Sequence, residues 1–106
     1  MIFELREYDI IPGLMPELVR LMQEQILPLQ IKHGITFIAS FVSADNPNKY
    51  IWIRRFNSKN NREQLCNEMY ESIEWKETIK PKIDNMLNYE TIKVTLLHPT
   101  DSSPIR

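Results

Sequence analysis

Hydrophobic and charged side chains alternate over the first ten residues. Phe3 and Leu5 fall on one parity, Glu4, Arg6 and Tyr8 on the other, and the run stops at Pro12-Gly13. Period two closed by a turn pair predicts a strand from Ile2 to Ile10. From Leu14 the period lengthens: Leu14, Leu18, Leu21, Met22, Ile26 and Leu29 recur at helical spacing, and Gly34 stands where a helix C-cap glycine belongs. Pro28 removes a backbone donor inside this stretch, so a kink or break is expected near Leu27.

Ile35 to Val42 is again rich in β-branched and aromatic residues, the cluster Ser43 to Asn48 forms turns, and Tyr50 to Phe56 resumes strand character. Two strands across a short polar turn predict a hairpin. Asn60 and Glu63 have capping-box spacing ahead of a second helix with Leu65, Cys66, Met69 and Tyr70 on its apolar side. Ser72 reads as a fresh cap, followed by Trp75, Ile79, Ile83, Met86 and Leu87 at helical spacing with Pro81 implying a bend. Tyr89 to His98 alternates once more, Ile92, Val94 and Leu96 against Thr91, Lys93 and Thr95. The order strand, helix, strand, strand, helix, strand is the βαββαβ plan of an α+β ferredoxin-like fold, with a four-stranded antiparallel sheet resting on two helical regions, the second split. Residues 1–98 are expected to form one domain and residues 99–106 a loose tail.

Assigning the apolar set of each strand to the helices leaves Glu4, Arg6 and Tyr8, Tyr50, Trp52 and Arg54, and Thr91, Lys93 and Thr95 for the opposite face. The second strand is ambiguous, because Phe37, Ala39 and Phe41 suit either side. Tyr8, Tyr50 and Trp52 gathered on one sheet face suggest a surface covered by a partner or a ligand.

Charge and composition narrow the function classes. The 106 residues carry 13 basic and 14 acidic side chains, interspersed, which lacks the basic footprint of a nucleic-acid binder. One cysteine, Cys66, permits neither an internal disulfide nor a cysteine-rich zinc site, and a cytoplasmic setting is the default. No signal-like or membrane-spanning run is present, so no membrane partner is expected. His33 and His98 are isolated, so no metal is expected. Phosphate-cradling glycine loops, nucleophile elbows and paired-carboxylate motifs are absent, so nucleotide and hydrolase readings have no local support, and no cofactor is expected.

Phe3-Glu4-Leu5-Arg6 and Tyr8, Pro12-Gly13, His33-Gly34, Trp75 and the Lys80-Pro81 step, in this order, resemble the NIPSNAP family of dimeric ferredoxin-like barrels. The resemblance spans nearly the whole chain, is looser around Asn57 to Asn61 and stops before Pro99. It implies a homodimer of two sheets face to face, with the polar-aromatic face lining an enclosed barrel. The expected function is then binding of a small organic molecule by Glu4, Arg6, Tyr8, Tyr50, Trp52, Arg54 and Lys93. Relatives on this barrel also imply a cofactor-free monooxygenase or isomerase acting on an aromatic or polyketide-like substrate, with His33, Tyr8 or Trp52 assisting proton transfer. A scaffold with a filled barrel is the third possibility.

Each assignment has a plainer rival. Arg6 and Arg54 could orient an organic anion through the guanidinium fork, or pair internally with Glu4, the commoner fate of buried charge. Tyr8, Tyr50 and Trp52 could stack on a ligand or fill a dimer core. His33 at a helix end has a sufficient capping role, and Cys66 on an apolar helix side reads as an inert core thiol.

Overall fold

The strand β1 (Ile2–Asp9) runs antiparallel to β3 (Lys49–Phe56), from Ile2 opposite Phe56 to Asp9 opposite Lys49. In the computed structural model, which describes residues 1–106, β2 (Thr36–Val42) flanks β3 and β4 (Lys93–Leu97) flanks β1, giving an antiparallel sheet of order β2-β3-β1-β4. Helices α1 (Met15–Leu21) and α2 (Leu27–Lys32) connect β1 to β2, and α3 (Lys59–Tyr70) and α4 (Lys80–Ile83) connect β3 to β4. All helices lie on one side of the sheet, the ferredoxin-like α+β arrangement anticipated from the periodicities.

Neither proline breaks its helix. A wide turn spans Met22–Ile26 between α1 and α2, and another spans Glu74–Ile79 ahead of α4. The Leu27 N–H donates to the Met22 carbonyl and the Lys80 N–H to the Trp75 carbonyl, and each donor is followed directly by a proline. In an α-helix a proline ring strikes the carbonyl four residues back; a π turn moves that carbonyl aside and keeps the helix continuous. These turns also answer a spacing problem. Leu14, Leu18, Met22, Ile26 and Gln30 form a strict four-residue row, as do Trp75, Ile79, Ile83 and Leu87. On an α-helix such a row drifts by about 40° per step. The wider turn offsets the drift, so from Leu18 to Gln30 and from Trp75 to Leu87 every member of both rows is buried.

The helix ends follow local chemistry. After α2, Gly34 takes φ +82°, the Ile35 N–H reaches the Gln30 carbonyl at 3.0 Å and the Gly34 N–H the Ile31 carbonyl at 2.9 Å, closing a Schellman motif. At the head of α3 it is Ser58, not Asn60, that caps: its hydroxyl accepts from the Asn61 N–H at 3.0 Å. Tyr89–Thr91 forms a single 3-10 turn capped by Asn88, so the last strand begins at Lys93, later than the alternation suggested.

The sheet faces of β1 and β3 are the reverse of the sequence expectation. Ile2, Glu4, Tyr8 and Ile10 are buried beneath the helices together with Tyr50, Trp52, Arg54 and Phe56. They pack with Leu18, Met22, Ile26, Met69, Trp75 and Ile79 in the core. The open face carries Phe3, Leu5, Ile51 and Ile53, joined by Thr95 and Leu97 of β4 through their pairing with Leu5 and Phe3. Ile2, Ile10 and Phe56 share the parity of Glu4 and Arg54, and the apolar area they bury outweighs the cost of taking that ion pair inside. β4 follows the expected assignment, Val94 and Leu96 opposing Arg6 and Glu4 on the helix side. A register shift between Phe37 and Ala39 resolves the ambiguity of β2: Phe37 opposes Arg54 on the helix side, whereas Ala39 and Phe41 oppose Ile53 and Ile51 on the open face.

The cap reassignment is testable by urea unfolding. Ser58→Ala is expected to cost about 1 kcal/mol of stability, and Asn60→Ala, at an exposed position without a capping bond, less than about 0.5 kcal/mol.

Candidate functional site

Beneath the helices one carboxylate meets three guanidiniums. Arg54 sends Nε and Nη2 to Glu4 Oε1 at 2.8 and 2.5 Å, and Arg62 of α3 grips Glu4 Oε2 at 2.6 Å through both Nε and Nη2. Arg6 stands further off, its Nη1 3.7 Å from Glu4 Oε1. Arg54 also donates from Nη1 to Gln30 Oε1 at 2.9 Å, tying the sheet to α2, and its guanidinium lies 4.8 Å from the Trp52 ring centroid and 5.4 Å from that of Phe56. Burial works against ionisation of Glu4. The charges of Arg54 and Arg6 and hydrogen bonds from Arg54 and Arg62 overcome it, holding the carboxyl below the usual range. For Glu4 and Arg54 the structure therefore selects internal pairing.

Arg6 is different. Both Glu4 oxygens are taken by other arginines, and its hydrogen bond within the protein runs from Nε to the Tyr8 phenol oxygen at 3.0 Å. Its side chain, 14% exposed, forms part of the wall of a cleft of about 370 Å³ between the helix-side face of the sheet and the second helical region. Tyr8, Tyr70 and Tyr89 bring phenols to this cleft, while Trp75, Ile83, Leu87 and Ile92 supply its apolar wall. Tyr70 stacks edge-on against Trp75 with centroids 4.9 Å apart. Burial pushes the Tyr70 phenol up against the pull of Arg54 and Arg6, and burial followed by Asp84 pushes Tyr89 up, so both present neutral O–H groups. Lys76 and Lys80 also line the cleft, yet each is held by a carboxylate, Glu71 at 2.5 Å and Asp84 at 3.0 Å. The uncancelled positive charge therefore belongs to the arginine cluster in the interior.

Of the residues singled out in the sequence, Arg6 and Tyr8 meet at this cleft. Glu4 and Arg54 lie behind them in the ion-pair cluster, and Tyr50 and Trp52 are core residues. Tyr8 contacts both aromatic rings, with centroids 6.3 Å apart in each case. Lys93 opposes Glu7 on the other side of the sheet. His33 is the C-cap of α2, away from the cleft lining, with a buried Nε2 that has no protein partner. Cys66 is half-buried and burial raises its thiol. The sequence reading missed Tyr70, Tyr89 and the wall role of Trp75. The four-residue row from Trp75 to Leu87 was the available signal.

The NIPSNAP family model matches residues 3–104, reaching into the C-terminal segment that the sequence resemblance left out. The chain belongs to the NIPSNAP family. Among solved structures, a NIPSNAP family protein from Agrobacterium tumefaciens superposes with TM-score 0.89 at 27% identity, over 99% of this chain and 98% of that one. A second protein from A. tumefaciens gives TM-score 0.90 at 21% identity with complete coverage of both chains. An antibiotic biosynthesis monooxygenase shares the fold at TM-score 0.68 and 14% identity, over 94% of this chain and 99% of that one. No curated protein matches.

The buried cluster makes this NIPSNAP domain acid-sensitive in a defined way. Glu4→Gln leaves buried guanidiniums without their carboxylate and is expected to cost about 3–5 kcal/mol at pH 7. Because the folded-state pKa of Glu4 is depressed, its contribution is fully present above its unfolded value of about 4.3 and fades as pH falls through the folded one. Denaturant unfolding of both proteins should therefore show the gap between them narrowing below about pH 4.3.

Proposed function

We propose that this NIPSNAP protein binds a small organic monoanion with a flat apolar body, in the cleft between sheet and helices. The observation that carries this reading is the excess charge at Arg6: three arginines share the single carboxylate of Glu4, and the one whose guanidinium borders the cleft is the least neutralised. A guanidinium in a partly desolvated cleft favours a carboxylate, enolate or phenolate that completes its pairing. Trp75 and Tyr70 offer aromatic surface to the body of such a ligand. The paired lysines add little net charge at the cleft, which favours one anionic group over two.

Isomerase or oxygenase chemistry is the second reading. It draws on Tyr8, whose oxygen accepts from Arg6 and so leaves its own proton free to be donated to a bound enolate. The homodimer is likewise part of the proposal. The open sheet face presents Phe41 at 55% and Leu97 at 39% exposure beside half-buried Leu5, Ile51 and Ile53, and an antiparallel sheet with such a face is well served by a second copy. With apolar side chains on that face, the ligand site moves from the barrel interior to the cleft. No helix is long and apolar enough to cross a membrane; a chain with a single cysteine, Cys66, fits a reducing, cytoplasmic setting.

Isothermal titration with naphthoate, an aromatic monocarboxylate, tests the binding reading. Wild-type protein should bind it, the uncharged naphthamide should bind at least about tenfold more weakly, and Arg6→Gln should weaken naphthoate by a similar factor. Equal affinity for acid and amide would overturn the proposal. For the assembly, analytical ultracentrifugation is expected to give a dimer that Ile53→Glu converts to monomer; a wild-type monomer at every concentration would remove the dimer.

A further inference from the structure

We infer that Pro81 is a positioning residue for the cleft: by enforcing the π turn of Glu74–Ile79 it keeps Trp75 on the wall that Ile83 and Leu87 continue. This inference rests on the cleft being the ligand site. The Lys80 N–H bonds to the Trp75 carbonyl five residues back, and Pro81 comes next as a residue that cannot re-form the α-helical pattern. The turn is fixed at its other end by Ser72, whose hydroxyl donates to the Met69 carbonyl at 2.6 Å and accepts from the Trp75 N–H at 3.3 Å. Trp75 is thereby held between a side-chain cap and a proline-enforced turn, 8% exposed and edge-on to Tyr70.

Converting the π turn to an α turn releases one residue and rotates the helix before the turn by about 100° relative to the helix after it. Trp75 would then lose its alignment with Ile83 and Leu87, and the cleft would lose the indole wall facing Arg6 and Tyr8. The molecule contains its own control. Pro28 stands in the same relation to the Met22–Ile26 turn, with the Leu27 N–H on the Met22 carbonyl, but that turn carries the core residues Met22 and Ile26 and contributes nothing to the cleft.

The experiment compares Pro81→Ala and Pro28→Ala by naphthoate titration, and by acrylamide quenching of Trp75 in a Trp52→Phe background. The expected result is naphthoate affinity about tenfold weaker in Pro81→Ala with increased quenching of Trp75, and both readouts unchanged in Pro28→Ala. Pro81→Gly, which also lacks the ring, is expected to behave like Pro81→Ala, so unaltered Trp75 quenching in either Pro81 variant would overturn the inference. Equal loss of binding in both alanine variants would also overturn it, as a general loosening of the helical layer. If wild type fails to bind naphthoate, the ligand reading falls, and Trp75 quenching alone still decides whether Pro81 holds the indole in place.

Discussion

The buried carboxylate of Glu4 is the constraint to which the rest of the domain is fitted. It sits on a central strand, and its two oxygens receive Arg54 from the neighbouring strand and Arg62 from the helix above. Arg54 reaches on to Gln30 in the first helical region, and Gln30 in turn lies with its amide nitrogen 3.9 Å from the sulfur of Met69. Sheet, first helical region and third helix are therefore joined through one polar chain in an otherwise apolar core. Such a network specifies a single alignment of the layers, because any slip leaves a charge without its partner.

The same arrangement explains why Arg6 is chemically distinct from the other two arginines. One carboxylate can satisfy two forked guanidiniums at short range, and a third must look elsewhere. Tyr8 supplies one acceptor, and the remaining donors border the cleft. The stable core and the reactive-looking cleft are thus consequences of a single count of charges, with the structural pair behind and the underused cation in front.

How much of this was legible in the sequence depended on which physical signal carried it. Element order was legible because the change from period two to helical spacing at Leu14, and back at Ile35, is local. The Schellman stop at Gly34 was legible for the same reason. The sheet faces were not: Glu4, Arg6 and Arg54 look like solvent residues, and only the parity of Ile2, Ile10 and Phe56 argues that their side faces inward. The π turns were encoded in the strict four-residue rows, a period that ordinary helical templates absorb without remark. The cleft was partly visible through Arg6 and Tyr8. Tyr70 and Tyr89 could not be placed, because their approach to it depends on how a cap, a π turn and a 3-10 turn set the path between α3 and β4.

The irregularity in β2 has a further consequence. Phe37 and Phe41 have the same parity, yet the shift after Phe37 directs the first toward the helices and the second toward the open face. A single edge strand thereby serves two unlike surfaces, one permanently dry and one awaiting cover. Ile38 is the residue that makes this possible: deleting it would leave both aromatics on their present sides in simple alternation and remove only a side chain that lies beside Ile53 and Leu97. One further residue inserted into the ladder, by contrast, would turn the inner aromatic outward or the outer one inward. The hairpin can accept new residues at its polar tip, but not within this short stretch, where the inside and outside of the protein exchange places along one strand.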